Sequence, residues 1–354
     1  MAGMKISLAY LYPDIMATYG DRGNVETVVR RCEWRGIAVD VTELRLGDPV
    51  MPDGVDIIML GGGGEAQQRL VATDLWKVKG GGIREAVAQG AAALAVGGGY
   101  ELFGRFCQLE QGAELRGVEL FDAWTIRPNA VLSDYYGTLS EARADRAIGE
   151  LVVRWGDTLL VGFENHAGGT YLGPTARPLG HVLSGHGNNG DGTEGVMLAS
   201  AVGTYLRGPC LPKNPALADF LIAAALTRRY GAVDLRPLAD ELERAAHLVA
   251  MGRAYAAAHA ARAARAARAA RAARAKLRRA AFRQAGLARA RYARSGRSPA
   301  PLDIRHRLGA WPARADAWPM APSRRPPART QEVLVTELSD SPASVAKARS
   351  GASR

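Results

Sequence analysis

The sequence predicts a doubly wound, mostly parallel α/β sheet followed by a basic, low-complexity tail. Three observations lead there. Short apolar runs alternate with helix-like segments over the first 250 residues or so. Two of those runs, ending at Leu60 and Val96, pass directly into glycine clusters, as buried strands do when they turn into helices. From about Arg253 the composition changes abruptly to alanine and arginine, then to proline, serine and arginine.

In chain order, Lys5 to Leu11 reads as the first buried strand, followed by a loop rich in turn residues through Asn24. Asn24 is expected to cap a helix running to about Trp34 and closed by Gly36. Ile37 to Leu44 alternates like a second strand, and Asp56 to Leu60 is a third, ending in Gly61-Gly62-Gly63-Gly64. That glycine run fits either an anion-holding turn of backbone N–H groups or a plain strand-to-helix turn. It is not a phosphate-binding loop of the Gly-Lys-Ser/Thr type, because no such residues follow. A helix from Ile83 to Gln89, closed by Gly90, leads to the strand ending at Val96.

The middle of the chain reads differently. Leu151 to Trp155 and Thr158 to Phe163 flank Gly156-Asp157, a two-residue hairpin signal. A turn-rich loop spans Gly185 to Gly192, and Gly195 to Gly203 reads as one further strand. Asn214-Pro215 then opens a helix ending near Gly231, with proline at the first helical position. His166, His181 and His186 fall in this region at no metal-ligand spacing, so turn and supporting roles are expected of them.

The net charge of +11 misleads unless it is divided. Residues 251–354 hold 23 Lys/Arg against 5 Asp/Glu, net +18, whereas residues 1–250 hold 23 against 30, net −7. The expected domain is therefore residues 1–252, mildly acidic, with residues 253–354 a tail that is helix-prone and then disordered. Its arginines at 262, 265, 268, 271 and 274 recur every third residue and form no apolar stripe. Contact with nucleic acid or an anionic membrane is one reading of such a tail. An extension without function is the other, which the scarcity of aromatics for base stacking favours. Cys32, Cys107 and Cys210 form no CxxC pair, so neither a metal site nor a disulfide framework is expected. The N-terminus lacks the apolar run of a signal peptide, and no stretch approaches the ~18–20 apolar residues of a membrane span. The expected location is cytoplasmic, with the tail a route to the inner face of the membrane.

The stretch Val96-Gly97-Gly98-Gly99-Tyr100 organises the rest. In α/β enzymes a sharp turn from strand to helix presents a nucleophile beside a helix N-terminus that favours anions. None of these three glycines carries a nucleophilic side chain.

Several stretches together resemble a known family. They are Tyr12-Pro13-Asp14, Tyr19-Gly20-Asp21-Arg22-Gly23-Asn24, the glycine turn after Leu60, and Gly98-Gly99-Tyr100. They continue with Gly162-Phe163-Glu164-Asn165-His166, Gly185-His186-Gly187-Asn188-Asn189-Gly190, Gly203-Thr204-Tyr205-Leu206, and Gly208-Pro209 with Leu211-Pro212-Lys213-Asn214-Pro215. The chain resembles the class I glutamine amidotransferase domains of the cobyric-acid-synthase-like branch, and most closely the glutaminase subunits of lipid II isoglutaminyl synthases. The tail lies outside the resemblance.

The resemblance implies a flavodoxin-like sheet that hydrolyses glutamine to glutamate and ammonia. A cysteine at the elbow attacks the amide, a histidine late in the domain activates it, and backbone N–H groups, here of Gly63 and Gly98, hold the oxyanion. The ammonia passes to a Mur-ligase-like partner subunit, which uses ATP and Mg to amidate the D-glutamate of lipid II in peptidoglycan biosynthesis. This subunit itself needs no cofactor. The resemblance also implies that Arg146 binds the substrate.

Carried over position by position, two members are missing. The nucleophile falls on Gly97 and the base on Arg207. Glycine offers no nucleophile, and an arginine that stays protonated cannot act as a base. Cys107 lies ten residues beyond the elbow, about 15 Å along a helix. Cys210 would still need a base, so neither is expected to substitute. The expectation is an amidotransferase-family subunit impaired as a glutaminase. The alternatives are a non-catalytic regulatory or scaffold pseudoenzyme that uses the basic tail, and a subunit of a cobyrinate-type synthase.

Overall fold

The computed structural model describes residues 3–109, 113–127 and 146–294. In chain order, β1 (Lys5–Leu11) is followed by α1 (Arg22–Glu33) and β2 (Ala38–Leu44). Then come β3 (Ile57–Leu60), α2 (Glu65–Asp74), α3 (Gly80–Ala88), β4 (Ala92–Val96) and α4 (Gly98–Phe103). Short strands follow: β5 (Phe106–Gln108), β6 (Glu114–Arg116) and β7 (Ala123–Ile126). A hairpin of β8 (Ala147–Trp155) and β9 (Thr158–His166) precedes β10 (Gly169–Leu172), β11 (Gly180–Ser184) and β12 (Thr193–Glu194). The chain then forms β13 (Val196–Leu198), β14 (Ala201–Thr204), α5 (Pro215–Tyr230) and α6 (Glu241–Arg294).

The central sheet runs β13-β14-β4-β3-β1-β2. Its five strands β2-β1-β3-β4-β14 are mutually parallel, and β13 adds an antiparallel edge. Taken by sequence, the parallel strands have the order 2-1-3-4-5, the flavodoxin-like arrangement, in which ligands sit beyond the carboxyl ends of the strands. Strands β3, β4 and β14 are buried throughout, which is why they read as unbroken apolar runs rather than alternating ones. Helix α5 packs across β1, β3 and β4, and α1 packs on α5. Buried Arg31 of α1 ties that layer together, bonding Asp219 of α5 from Nε and Nη2 at 2.8 and 2.7 Å, and Asp240 from Nη1 at 2.6 Å. Two four-stranded sheets, β10-β7-β5-β6 and β12-β11-β8-β9, complete the fold.

Two expectations from the sequence are corrected. Asn24 does not cap α1, which starts at Arg22; the buried Asn24 side chain instead accepts the Leu211 N–H at 3.0 Å. The segment Gly195 to Gly203 is not one strand but the β13–β14 hairpin, reversed through Ala199 at φ +49°. The glycine run after Leu60 leads into α2, as a strand-to-helix turn does.

The chain divides into two units, Met1–Ala275 and Lys276–Arg354. Within the first, Met251 and Ala254 of α6 bury themselves against Val152 and Val161. From Ala256 onward the side chains of α6 lie largely in solvent as far as Leu287. The part of the tail expected to be disordered falls beyond Arg294, outside the described residues. Among the described residues, no helix is long and apolar enough to cross a membrane.

Candidate functional site

The turn from β4 into α4 is held by a hydrogen bond from Gly97 N–H to Thr204 O, 2.8 Å, and another from Glu101 N–H to Gly97 O, 3.0 Å. Gly97 has φ +55° and ψ −115°, a conformation that side-chain-bearing residues adopt only under strain. Gly98 faces the glycine turn directly. A Cβ there would lie 3.0 Å from Gly63 N and closer still to Gly63 O, so the two proposed oxyanion-hole residues pack backbone to backbone.

Arg207 follows β14 and pairs its backbone with Phe163 of β9, with its N–H 2.9 Å from Phe163 O. That bridge aims the side chain over the elbow. A Cβ built on Gly97 would lie 2.5 Å from Arg207 Nε, and nearer to Nη2 and Cζ. The guanidinium therefore fills the space in which any side chain at position 97 would begin. Arg207 is 6% exposed, its Nε has no hydrogen-bond partner among the described residues, and its Cζ stands 5.3 Å from the centre of the Tyr19 ring. Asp21 lies nearby but forms no ion pair with it; its carboxyl accepts the Gly62 N–H at 2.6 Å and burial pushes it up to about 6.

Arg207 opens onto a cavity of about 170 Å³, also lined by Thr18, Tyr19, Gly63, Gly64, Glu65, Glu101, Arg127, Arg146, Asn165, His166 and Ala167. The structure thus brings Arg146, Gly63 and Arg207 to one cavity, with Gly97 and Gly98 packed directly behind Arg207 and Gly63. Arg146 Nε donates to Asn165 Oδ1 at 2.6 Å, and Asn165 Nδ2 donates to the Tyr19 hydroxyl at 2.7 Å. A larger cavity of about 610 Å³, lined by Arg105, Arg116, Asp122 and Met197 among others, contains none of these groups.

Sequence reasoning missed the polar wall of this cavity. Glu101 accepts Arg127 Nη2 at 2.7 Å, Gln68 Nε2 at 2.6 Å and the Tyr205 hydroxyl at 3.1 Å. Arg127 also donates to Gln68 Oε1 at 2.9 Å and Ala167 O at 2.6 Å. One signal was available: Glu101 stands one helical turn after Gly97, on the face a nucleophile's substrate would meet. Arg127 carried none, since it merely ends the β7 run.

Of the three central histidines, His166 is the one at the cavity. It is 2% exposed, stacks on Tyr205 with ring centres 3.6 Å apart, and has no hydrogen bond at either ring nitrogen among the described residues. Its Nε2 lies 3.7 Å from Glu164 Oε2, beyond hydrogen-bond range. Burial lowers its pKa and keeps it neutral. Glu164 is taken instead by the turn-rich loop, accepting the N–H groups of His186 and Gly187 at 2.7 and 2.9 Å and the His186 ring at 2.6 Å. Neither Cys107 nor Cys210 lines the cavity; both are fully buried and burial pushes both thiols up to about 12, far from the reactive thiolate. Among the described residues no group of three His, Cys, Asp or Glu stands close enough to hold a metal ion.

A flavodoxin-order sheet whose fourth strand turns through an elbow against a glycine turn is the frame of a class I glutamine amidotransferase. More narrowly, the chain belongs to the CobB/CobQ-like glutamine amidotransferase domain family, which it matches over residues 7–215. It is 32% identical to the lipid II isoglutaminyl synthase (glutamine-hydrolyzing) subunit GatD of Staphylococcus aureus over 253 residues, covering 71% of this chain and 96% of that one. It is also 32% identical to the GatD subunit of Streptococcus pneumoniae, covering 64% of this chain and 83% of that one. A cobyric acid synthase of Pelotomaculum thermopropionicum is 30% identical over 136 residues, 36% of this chain and 24% of that protein.

Proposed function

We propose that this chain is a GatD-like amidotransferase subunit that has kept the frame of the glutamine site and lost hydrolysis of glutamine. The observation that carries the reading is the packing of Arg207 on Gly97. The nucleophile position has no side chain, and a guanidinium occupies the volume one would need. The base position holds a group that keeps its proton. The two replacements fit each other sterically, which supports a pair changed together rather than two independent losses. Gly63 and Gly98 remain at the oxyanion-hole positions and Arg146 at the substrate-binding position, with no attacking atom to serve.

In this reading the chain pairs with a Mur-ligase-like subunit that carries ATP and Mg and amidates the D-glutamate of lipid II from free ammonia. The chain's part is then structural or regulatory, at the membrane's inner face where lipid II is made. The stronger and longer similarity to GatD subunits supports lipid II over a cobyrinate acceptor.

The test is glutamate release from L-glutamine by the purified chain, alone and with the ligase. Background release in both is expected, alongside amidation by the complex when ammonium replaces glutamine. Robust turnover of glutamine would sink the reading.

A further inference from the structure

We propose that the cavity over Gly97 binds a small amino-acid dicarboxylate, L-glutamate being the probe, in preference to the corresponding amide. The inference rests on the reading above that this is the amidotransferase substrate cavity with its reacting groups replaced. It begins from a charge count around one space. Of the five charged side chains at the cavity, Arg127 and Glu101 neutralise each other at 2.7 Å, and Glu65 is held by Arg69 at 2.8 Å. Arg146 and Arg207 are left, and neither forms an ion pair among the described residues.

Arg207 is the more demanding of the two. Its guanidinium is buried, accepts nothing, and has no hydrogen-bond acceptor among the described residues; the face of Tyr19 is its one aromatic contact. A buried charge without acceptors is costly, so a stable fold calls for an anion or ordered water to answer it. His166 lies on the same cavity with two unpartnered ring nitrogens, one donor and one acceptor when neutral.

The chemistry of the anion follows from the donors. A guanidinium presents N–H groups in a planar fork that matches the two oxygens of a carboxylate. A carboxamide turns one acceptor and one NH2 group to the same fork, so half of the contact becomes donor against donor. In the amidotransferase reading above a neutral amide would lie beside a nucleophile at position 97; here that place is lined by fixed positive charge. Arg207, buried with its Nε unpaired, and Arg146, exposed and tied only to the neutral Asn165 through its Nε, suit two carboxylates on one small molecule.

Isothermal titration of the full chain with L-glutamate, L-glutamine and inorganic phosphate at one ionic strength tests this. L-Glutamate is expected to bind at least tenfold tighter than either of the others. Arg207→Gln should cost at least tenfold toward glutamate and less than threefold toward glutamine. Arg105→Gln, in the other cavity, should change neither. Should Arg207→Gln fail to fold by circular dichroism, Arg207→Lys takes its place, keeping the charge and losing the fork, with at least a threefold loss expected. Equal or tighter binding of glutamine, phosphate as tight as glutamate, unchanged affinity in a folded Arg207 variant, or no binding at all would each overturn the inference. Release of glutamate from glutamine in the same samples would instead sink the non-hydrolysing reading. Preference for glutamine without turnover sinks only the inference.

Discussion

The two sides of one cavity are wired differently. On the Glu101 side every buried charge is answered: Arg127, Gln68 and Tyr205 converge on one carboxylate, and Arg127 is held in turn by Gln68 and Ala167. On the Gly97 side a buried guanidinium stands over a bare backbone with its Nε unpaired. The difference teaches that in this fold the groups that shape the pocket are not the groups that would react in it. On the proposed reading the reactive side chains have left and the frame stands, held by the sheet, the glycine contacts and the Glu101 network. That reading expects activity and stability to move separately here.

On the proposed reading the largest effect should come from placing a nucleophile at position 97 and a base at position 207. In a serine protease, removing either central member of a nucleophile–base unit costs around 10⁶-fold and the losses do not add. The double variant Gly97→Cys with Arg207→His should therefore raise glutamate release by several orders of magnitude, while each single change leaves it at background. Gly97→Cys alone sets a side chain against the Arg207 guanidinium and must displace it. Hydrolysis by either single variant, or background release by a folded double variant, would break the comparison on its empty side.

The answered side should respond in stability instead. Glu101→Leu leaves Arg127 buried without its carboxylate, and removal of one partner from such a pair costs about 3–5 kcal/mol. Replacing both, Glu101→Leu with Arg127→Met, should cost less than the sum of the two single changes. Arg207→Met removes a buried charge that no acceptor holds, and should stabilise by on the order of 1 kcal/mol. Urea denaturation reads all four variants. A destabilisation by Arg207→Met as large as that of Glu101→Leu would show that the two sides are wired alike.

A smaller effect lies in pH. Glu194 accepts the Tyr205 N–H at 2.6 Å and the Thr204 hydroxyl at 3.1 Å, fixing the segment that delivers Arg207, and burial raises its carboxyl to about 8. The folded chain thus keeps a proton that the unfolded chain, titrating near 4.5, gives up. This stability is full below 4.5 and is lost as pH rises through about 8. Glu194→Gln should flatten the change in unfolding midpoint between pH 5 and 8.5. An unchanged slope would show that the proton is held elsewhere.

Much of the frame was legible because it is local. The fully apolar strands β3 and β4, the Gly156-Asp157 hairpin and the Asn214-Pro215 opening of α5 each follow from a short run of residues. The elbow was legible as a sharp turn from strand to helix through glycines, and the chain turns there from β4 into α4. The contacts that decide the site join residues far apart: Gly97 meets Arg207, and Glu101 meets Arg127, with no spacing rule to announce either. Ala199 made the same point on a small scale, turning a hairpin at positive φ where no glycine marked it. Asn24 had the chemistry of a helix cap and was claimed by Leu211, because a buried backbone N–H outweighs a solvent-exposed one.

The smallest effect is expected at the far end of the chain, and where the cut falls decides what it reads. The arginine-rich part of α6 exposes its described side chains to solvent as far as Leu287, so removing residues 276–354 should leave the unfolding free energy of the rest within about 0.5 kcal/mol. A cut after Val249 is another matter. It takes away Met251 and Ala254, which cover Val152 and Val161, and burial of a methionine alone contributes about 1.5–3 kcal/mol. A cut after Gly252, at the point where the composition changes, keeps Met251 but loses Ala254, whose carbonyl also accepts from Ser184. A defect of that cut would report lost packing under β8 and β9 rather than a function of the basic residues. The comparison of the cuts after Ala275 and Val249 separates the two. If both leave stability unchanged, α6 contributes nothing to the core; if only the longer chain keeps it, the stretch between Ala250 and Ala275 belongs to the folded unit.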